Sequence, residues 1–342
     1  MDPRAFCTST RVLIVAGKGG VGKTTVSAAL ARTASMAGLR TLLVEVEGRS
    51  LLAGLFGQPG DLDYHERVLQ PARPPSPAAP GGEGEVRGRT LTPDDALIEY
   101  LNDLGLKRIS KRLSRTGMID VVATAAPGIK DILVLGKVKQ LERGGRFGDK
   151  LDPEEKGGPV DLIVVDAPAA GHAVQFLQSA SGLLDAVAVG PIRAQAQEVV
   201  ELLRDPARAR VVLVTLPEET PVNELVQTAY ALEDRVGVQL APVIVNGLYP
   251  PLAGLDCDPV EAARDAGVTL APGEADALRH AADFRRSRQH LQTEQLDRLA
   301  EALPLPQLRL PYLFEDRIGA PQLEQLAVAL TDQIHGLEVA TP

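Results

Sequence analysis

Residues 17–25 consist almost entirely of glycine, lysine and threonine, in a pattern that binds phosphate. The segment Gly-Lys-Gly-Gly-Val-Gly-Lys-Thr-Thr matches the pattern G-x-x-x-x-G-K-[ST]. Its glycines allow successive backbone N–H groups to point at one phosphate, a geometry that a Cβ atom would obstruct. We expect Lys23 to reach the β and γ phosphates of a nucleotide, and the Thr24 hydroxyl to ligate Mg²⁺. The predicted nucleotide contacts are Gly17, Lys18, Gly19, Gly20, Val21, Gly22, Lys23, Thr24 and Thr25.

An acidic residue, Asp166, directly follows an apolar run that ends at Val165. Mg²⁺ and its water shell are held by an acid at the C-terminal end of a parallel strand beside such a phosphate loop. An aspartate that caps a helix would occupy the same position in the sequence, so this interpretation depends on the phosphate loop. Asp166 and Thr24 are therefore the predicted metal-binding residues, and ATP and Mg²⁺ are the expected cofactors.

Short β-branched runs alternate with longer helical patterns, and these elements must position the candidate residues. The strand-like runs are Val12–Ala16, Thr41–Val44, Leu162–Val165, Val211–Val214 and Val243–Val245. The helix-like segments are Lys23–Ala37, Ala194–Leu203 and Val222–Arg235. Because the runs are almost continuously apolar, they are typical of parallel strands that helices cover on both faces. The sequence therefore predicts an α/β fold with a doubly wound, mostly parallel sheet and a helical insertion.

The predicted insertion lies between two stretches that resemble exposed connections. Residues 71–82 contain five prolines, and residues 143–159 are glycine-rich and charged. Between them the pattern is mostly helical, with a turn at Pro127 and Gly128. We predict an ATPase core formed by residues 1–92 and 151–342, and a helical insertion subdomain formed by residues 93–150.

Composition excludes several classes of protein. The 342 residues carry a net charge of −9, which argues against a general nucleic-acid binder. Two distant cysteines, Cys7 and Cys257, exclude a disulfide framework and a Cys-x-x-Cys metal site. The apolar run at 12–16 is too short for a signal peptide or a membrane span. We expect a soluble, cytoplasmic protein.

A lysine directly after the first glycine of the loop, Lys18, makes the segment resemble the deviant Walker A motif. That motif occurs in the nitrogenase iron protein and in chromosome-partitioning and arsenite-pump ATPases. The resemblance implies a dimer in which Lys18 reaches the nucleotide of the other subunit and stabilises the transferred phosphoryl group, as an arginine finger does. The alternative is a loop lysine in contact only with solvent. Because the chain has one P-loop, the expected partner is a second copy or a paralogous ATPase.

Two further segments are similar to the switches of arsenite-pump and tail-anchored-protein-targeting ATPases. Asp166, Gly171 and His172 match the family segment Asp-Thr-Ala-Pro-Thr-Gly-His. The family segment Ser-Thr-Asp-Pro-Ala-His is Glu-Val-Glu-Gly-Arg-Ser here, so Glu47 falls at the position of the aspartate that orients the attacking water. The longer side chain can misplace the carboxylate by about 1 Å, at a cost on the order of a hundredfold in rate. The resemblance thus implies slow hydrolysis, with Glu45 as the competing candidate.

The resemblance extends to the nucleotide base. The family reads adenine with an asparagine that matches Asn246, and covers the base with a segment similar to residues 310–319. Pro311 and Phe314 would then flank the ring, with core packing as the alternative. Residues 214–218, followed by Glu224, are similar to the family's Val-x-x-Pro-Glu junction. Residues 44–49 and 126–131 look most like an actinobacterial-type branch of anion-transporter-like ATPases.

The client sites of these relatives are expected to be absent. Two distant cysteines do not supply the thiolate cluster that arsenite needs, and Cys257 alone cannot form the structural zinc clasp. The insertion contains one methionine, Met118, which disfavours a methionine-rich groove for membrane helices. Residues 107–150 instead carry eleven lysines and arginines against four acidic residues. We expect either an acidic protein or a membrane surface as the partner of this segment, or else a solvated basic helix face.

Two functions remain open from the sequence. The first is an ATPase in which ATP binding and hydrolysis open and close a dimer. The second is a nucleotide-binding subunit that hydrolyses ATP poorly and pairs with a paralogous ATPase. Glu47 and the absent Pro-Ala-His segment favour the second. A DNA-partitioning ATPase is not supported, because residues 321–342 contain no basic helix.

Overall fold

The computed structural model describes residues 1–46, 52–76, 81–103, 105, 128–147 and 159–337. Strands of the described residues form one eight-stranded sheet: β1 (Val12–Gly17), β2 (Thr41–Val46), β3 (Arg67–Gln70), β4 (Val86–Leu91), β5 (Leu162–Ala169), β6 (Ala209–Thr215), β7 (Val243–Leu248) and β8 (Gln307–Pro311). Their order across the sheet is β3-β4-β2-β5-β1-β6-β7-β8. Neighbouring strands run parallel except β3 and β4, which are antiparallel. The prediction of a mostly parallel sheet is confirmed.

Helices cover both faces of this sheet, as expected for a doubly wound α/β fold. In the described ranges they are α1 (Pro3–Thr8), α2 (Lys23–Met36), α3 (Leu52–Leu55), α4 (Pro93–Asp103), α5 (Ile129–Phe147), α6 (Ala170–Ala186), α7 (Pro191–Arg204), α8 (Glu219–Arg235), α9 (Pro259–Asp265), α10 (Glu274–Ala302) and α11 (Ala320–His335). The helices predicted to begin near residues 23, 194 and 222 correspond to α2, α7 and α8. No helix in these ranges combines the length and the apolar character needed to cross a lipid bilayer.

Successive residues of the central strand pack into different halves of the core. Ile14 of β1 belongs to a buried cluster that includes residues of α5, α6, α7 and α8. Leu13 and Val15 belong to a second cluster that includes residues of α1, α2 and α11. Because side chains alternate across a strand, a fully apolar β1 supplies both clusters, and every residue of the strand is buried.

The helical segment between β4 and β5 is described only in part. Helix α4 packs against α5 through a small cluster formed by Ala96, Leu97 and Leu133. Other residues of α5, among them Ile132 and Val138, belong to the main core. The division into a core and an insertion at residues 93–150 stays a prediction, because residues 104, 106–127 and 148–150 lie outside the described ranges.

The sheet topology places the candidate residues at one edge. Strand β1 lies between β5 and β6, and β2 lies on the far side of β5. Because these strands are parallel, their C-terminal ends meet at the same edge, where ligands bind in open α/β sheets. The phosphate loop, Asp166 and Glu45 all follow or end strands at this edge.

Candidate functional site

The loop between β1 and α2 has the backbone of a phosphate cradle. Gly20 and Gly22 have φ values of 86° and 91°, in the left-handed region that favours glycine. A Cβ atom on Gly22 would overlap the amide of Asn246, and one on Gly17 would overlap the carbonyl oxygen of Val214. Glycine is therefore favoured at Gly20 by the turn, at Gly17 by the close approach of β6, and at Gly22 by both the turn and Asn246.

Helix α2 presents its N-terminus to this loop. Its N-cap is Gly22, no side chain caps it, and its first turn contains no acidic residue. The first backbone N–H groups of the helix thus remain available for an anion, and the helix dipole favours negative charge there. The Nζ atom of Lys23 donates to the carbonyl oxygen of Lys18 at 3.1 Å, which keeps the ammonium group over the loop. This arrangement fits the phosphates of a nucleotide.

A carboxylate and two hydroxyls meet beside the loop. Thr24 Oγ1 donates to Asp166 Oδ2 at 2.7 Å, and Ser27 Oγ donates to Asp166 Oδ1 at 3.1 Å. Asp166 is buried, and burial raises the pKa of its carboxyl group, with the nearby Glu45 adding to the shift. Hydrogen bonds from the two hydroxyls and the charge of Lys23 oppose that shift. The structure therefore brings together the two predicted metal-binding residues, Thr24 and Asp166.

These donors fit Mg²⁺ better than a metal held by the protein alone. Over the described part of the chain, no three His, Cys, Asp or Glu side chains are arranged to hold a metal. Mg²⁺ usually keeps several waters and is bound through one or two carboxylates together with substrate phosphates. One carboxylate and one threonine hydroxyl next to a phosphate cradle match that requirement. Ser27 was not predicted, although it lies one helical turn from Thr24 and thus on the same face of α2.

The second carboxylate of the site is Glu45 on β2. It pairs in register with Asp166 on β5 and is buried. Thr90 on β4 donates to Glu45 Oε2 at 2.7 Å, so the position of this carboxylate is fixed from the neighbouring strand. Glu47, the predicted water-positioning residue, lies outside the described residues.

Lys18 is held by an acidic residue of its own chain. Its Nζ atom lies 2.7 Å from Glu224 Oε1 on α8. The two side chains are 40% and 39% exposed, so this ion pair is at the surface of the loop. In the sequence, Glu224 follows the segment similar to the family's Val-x-x-Pro-Glu junction, and the structure shows that Glu224 contacts Lys18.

The three residues predicted to surround the base, Asn246, Pro311 and Phe314, do not form one cluster. Asn246 Nδ2 donates to the carbonyl oxygen of Val21 at 3.0 Å, which joins the end of β7 to the phosphate loop. Pro311 ends β8, next to β7. Phe314 is 58% exposed and packs against Tyr249 and Tyr312, with ring centroids 5.3 and 4.8 Å apart. Asn246 thus contacts the loop, and Phe314 belongs to a separate aromatic cluster.

Several basic residues of the predicted basic segment are not available to a partner. Lys137 and Lys139 on α5 are buried, where they pair with Glu99 and Glu198. Arg143 also pairs with Glu198, at 3.0 Å. The two lysines therefore add little to an exposed positive surface, whereas Arg143 is 44% exposed and has its charge balanced by Glu198.

Comparison with known proteins identifies relatives over most of the chain. The model of the CobQ/CobB/MinD/ParA nucleotide binding domain matches residues 12–263. ATPase BagA of Mycobacterium tuberculosis is 34% identical over 95% of this chain and 94% of its own length. A putative arsenical pump-driving ATPase of Halobacterium salinarum is 26% identical over 94% of this chain and 44% of its own. ATPase GET3B of Arabidopsis thaliana is 24% identical over 75% of this chain and 68% of its own.

Proposed function

This chain belongs to the CobQ/CobB/MinD/ParA nucleotide binding domain family, among the arsenite-pump and tail-anchored-targeting ATPases, and we propose that it works as a nucleotide-controlled dimeric switch. It is a P-loop ATPase of that superfamily. The proposed step beyond this is that two subunits close over their nucleotides and open after hydrolysis. The second subunit is either a further copy of this chain or a paralogous ATPase.

One observation carries the proposal: the contact between Lys18 and Glu224. The ammonium group of Lys18 is held at the rim of the loop, in a pair that solvent reaches. An exposed ion pair contributes roughly 0–1 kcal/mol, whereas a charge-assisted hydrogen bond away from water contributes roughly 1.5–3 kcal/mol. A nucleotide phosphate on a second subunit can therefore draw Lys18 away from Glu224 at little cost. Lys18 would then complete the partner's site only when nucleotide is present.

We further propose that ATP is bound with Mg²⁺. Thr24 and Asp166 would hold the ion and its water shell, and Lys23 would contact the β and γ phosphates. When bound, the ion would supply positive charge that neutralises the charge developing on the phosphates during transfer. Asn246 would contact the base side of the nucleotide while its amide still holds the Val21 carbonyl.

Slow hydrolysis is part of the proposal. Glu45 already accepts a hydrogen bond from Thr90 and is buried beside Asp166 on the neighbouring strand, so it has little freedom to orient water. Glu47 would then be the water-positioning residue, with its extra methylene limiting the rate. The longer side chain of Glu47 also favours the second candidate, a subunit that binds nucleotide but depends on a paralogue for hydrolysis.

Two variants of the proposed water-positioning residue separate these candidates. Glu47→Ala removes the carboxylate and should abolish the slow hydrolysis, while Glu47→Asp restores the shorter family side chain and should accelerate it. Turnover is measured with saturating ATP and Mg²⁺. Equal rates in the parent and in Glu47→Ala would contradict the role of Glu47 and shift attention to Glu45. Turnover that appears only with an added paralogue would favour the second candidate.

An acidic protein or a membrane surface remains the proposed partner of the basic segment at residues 107–150. Since Lys137 and Lys139 are buried, that proposal now rests on its other lysines and arginines. Several of these, between residues 107 and 115, lie outside the described ranges. Binding of the protein to vesicles with and without anionic lipid tests the membrane arm of this proposal.

A further inference from the structure

An apolar groove opens beside the last strands of the sheet. It has a volume of about 650 Å³ and is formed by the chain after β7, by α9, by the first half of α10 and by Phe314 after β8. We call it the α9–α10 groove. Ligand-binding clefts usually measure about 300–1,000 Å³, so this groove has the size of a small-molecule site. Asn246 and the phosphate loop do not line it.

Small side chains line much of this groove. Its walls include six alanines: Ala253, Ala262, Ala263, Ala266, Ala281 and Ala282. Larger apolar residues, among them Leu252, Val268 and Leu278, line it as well and are about half exposed to solvent. Helix α9 buries none of its residues in the fold. Protein interfaces usually centre on large side chains that fill pockets, whereas an apolar groove with walls of small side chains fits a slender aliphatic chain.

One wall of the groove carries a positive charge. The guanidinium group of Arg285 lies over the rings of Tyr249 and Phe314, 5.6 and 5.1 Å from their centroids. It donates from Nη2 to the carbonyl oxygen of Pro250 at 2.8 Å. Its Nε atom is buried and has no hydrogen-bond partner. Arg285 is thus a cation set in an apolar and aromatic wall.

Neighbouring arginines on the same helix are neutralised, and Arg285 is not. Arg279, Arg286 and Arg288 of α10 each lie within salt-bridge distance of a carboxylate. No ion pair of the described residues includes Arg285. A partly buried charge without a counterion favours an anionic ligand, and guanidinium groups bind carboxylates well.

We propose that the α9–α10 groove binds a long-chain aliphatic carboxylate, with its chain along the alanine walls and its carboxylate at Arg285. Burial of the ligand's aliphatic chain supplies affinity in proportion to the apolar area removed from water. The charge at Arg285 supplies selectivity for an anion over an uncharged lipid. The residues of this site are separate from the phosphate loop, although Phe314, which is predicted from the sequence to flank the base, also lines the groove.

The protein contains a cysteine that can report whether a ligand occupies the groove. Cys257 lines the groove and is exposed, whereas Cys7 is buried in α1, and burial raises the pKa of its thiol to about 12. Thiolates are the species that react with maleimides, so N-ethylmaleimide should modify Cys257 and spare Cys7. Palmitate should slow this modification, followed by intact mass, by about tenfold at saturation. Methyl palmitate, which lacks the charge, should protect much less.

Matched variants connect the protection to the groove. Arg285→Gln should weaken palmitate about tenfold while its weak binding of methyl palmitate stays unchanged. Ala281→Phe should fill the groove and abolish binding. Ala277→Phe is the control, because Ala277 lies exposed on the same helix but does not line the groove. Circular dichroism of each variant establishes that the fold is retained.

Three results would overturn the proposal. Cys257 modification that is insensitive to palmitate would show that no such ligand binds. Protection that depends only on protein concentration would mean that a second copy covers the groove. Protection by ATP, with displacement of palmitate, would make the groove part of the nucleotide site.

Discussion

Replacing Glu224 by Gln tests how Lys18 is controlled. The substitution removes the carboxylate that holds the Lys18 ammonium group at 2.7 Å, and it keeps the size of the side chain. Both partners are about 40% exposed, so the ion pair contributes at most about 1 kcal/mol. If that contact must break before Lys18 engages a second subunit, its loss should tighten ATP-dependent association by up to about fivefold per lysine, or up to about 30-fold for a homodimer in which both contacts are lost.

The measurement is sedimentation velocity with ATP and Mg²⁺ over a range of protein concentrations. Glu233→Gln is the matched control, because Glu233 is an exposed residue of the same helix and no ion pair of the described residues includes it. We expect Glu233→Gln to associate like the parent and Glu224→Gln to associate more tightly. Weaker association of Glu224→Gln would refute the reasoning, because it would mean that Glu224 itself contributes to the closed dimer.

Three further predictions concern the nucleotide site. Lys23→Ala removes a charged phosphate contact and should lower ATP affinity by roughly 1.5–3 kcal/mol, measured by calorimetry; unchanged affinity would contradict the assignment of the phosphate loop. Gly22→Ala forces a Cβ atom against Asn246 at a φ of 91° and should lower the free energy of unfolding by roughly 1–3 kcal/mol. Gly19→Ala is the control in the same denaturation experiment and should be close to neutral, because its Cβ would meet no atom within 4 Å. Because burial raises the pKa of Asp166, its carboxyl group favours the folded state below the ordinary carboxyl pKa, and this contribution is lost as pH rises through the raised folded value. Asp166→Asn should therefore stabilise the nucleotide-free protein at neutral pH by on the order of 1 kcal/mol in thermal denaturation, while it abolishes Mg²⁺-dependent ATP binding. Destabilisation at neutral pH would contradict this account.

The sequence predicted the central strands well because their signal is local. β1, β2, β5, β6 and β7 are runs of apolar residues, and such runs are typical of strands buried on both faces. The position of the loop between β1 and α2 was predictable for the same reason, since its motif consists of adjacent residues. Asp166 followed from its position directly after one of these runs.

Strand β4 was missed because it contains buried arginines. Arg87 is neutralised by Glu66 and Glu85, and Arg89 is buried with its guanidinium group 4.6 Å from the ring centroid of Tyr64. These partners come from elsewhere in the fold, so nothing in the run Val86–Leu91 itself predicts that charged side chains can be buried there.

The same limitation affected charge within the site and the insertion. Lys18 and Glu224 are 206 residues apart in the sequence, and their contact depends on the order of β1 and β6 in the sheet. Lys137 and Lys139 were counted toward an exposed basic surface, but both are buried, and Glu99 and Glu198 neutralise their charges. Net charge along a segment does not reveal which side chains face the core.

The most direct test of the dimeric switch mixes two defective subunits. Lys18→Ala keeps its own phosphate loop but cannot supply the lysine to a partner, and Lys23→Ala supplies Lys18 but does not bind ATP productively. Each variant alone should hydrolyse ATP far more slowly than the parent. In an equal mixture half of the dimers are mixed and each has one complete site, so turnover should recover to about a quarter of the parent rate. A mixture as inactive as its two components would contradict the action of Lys18 on the nucleotide of a second subunit.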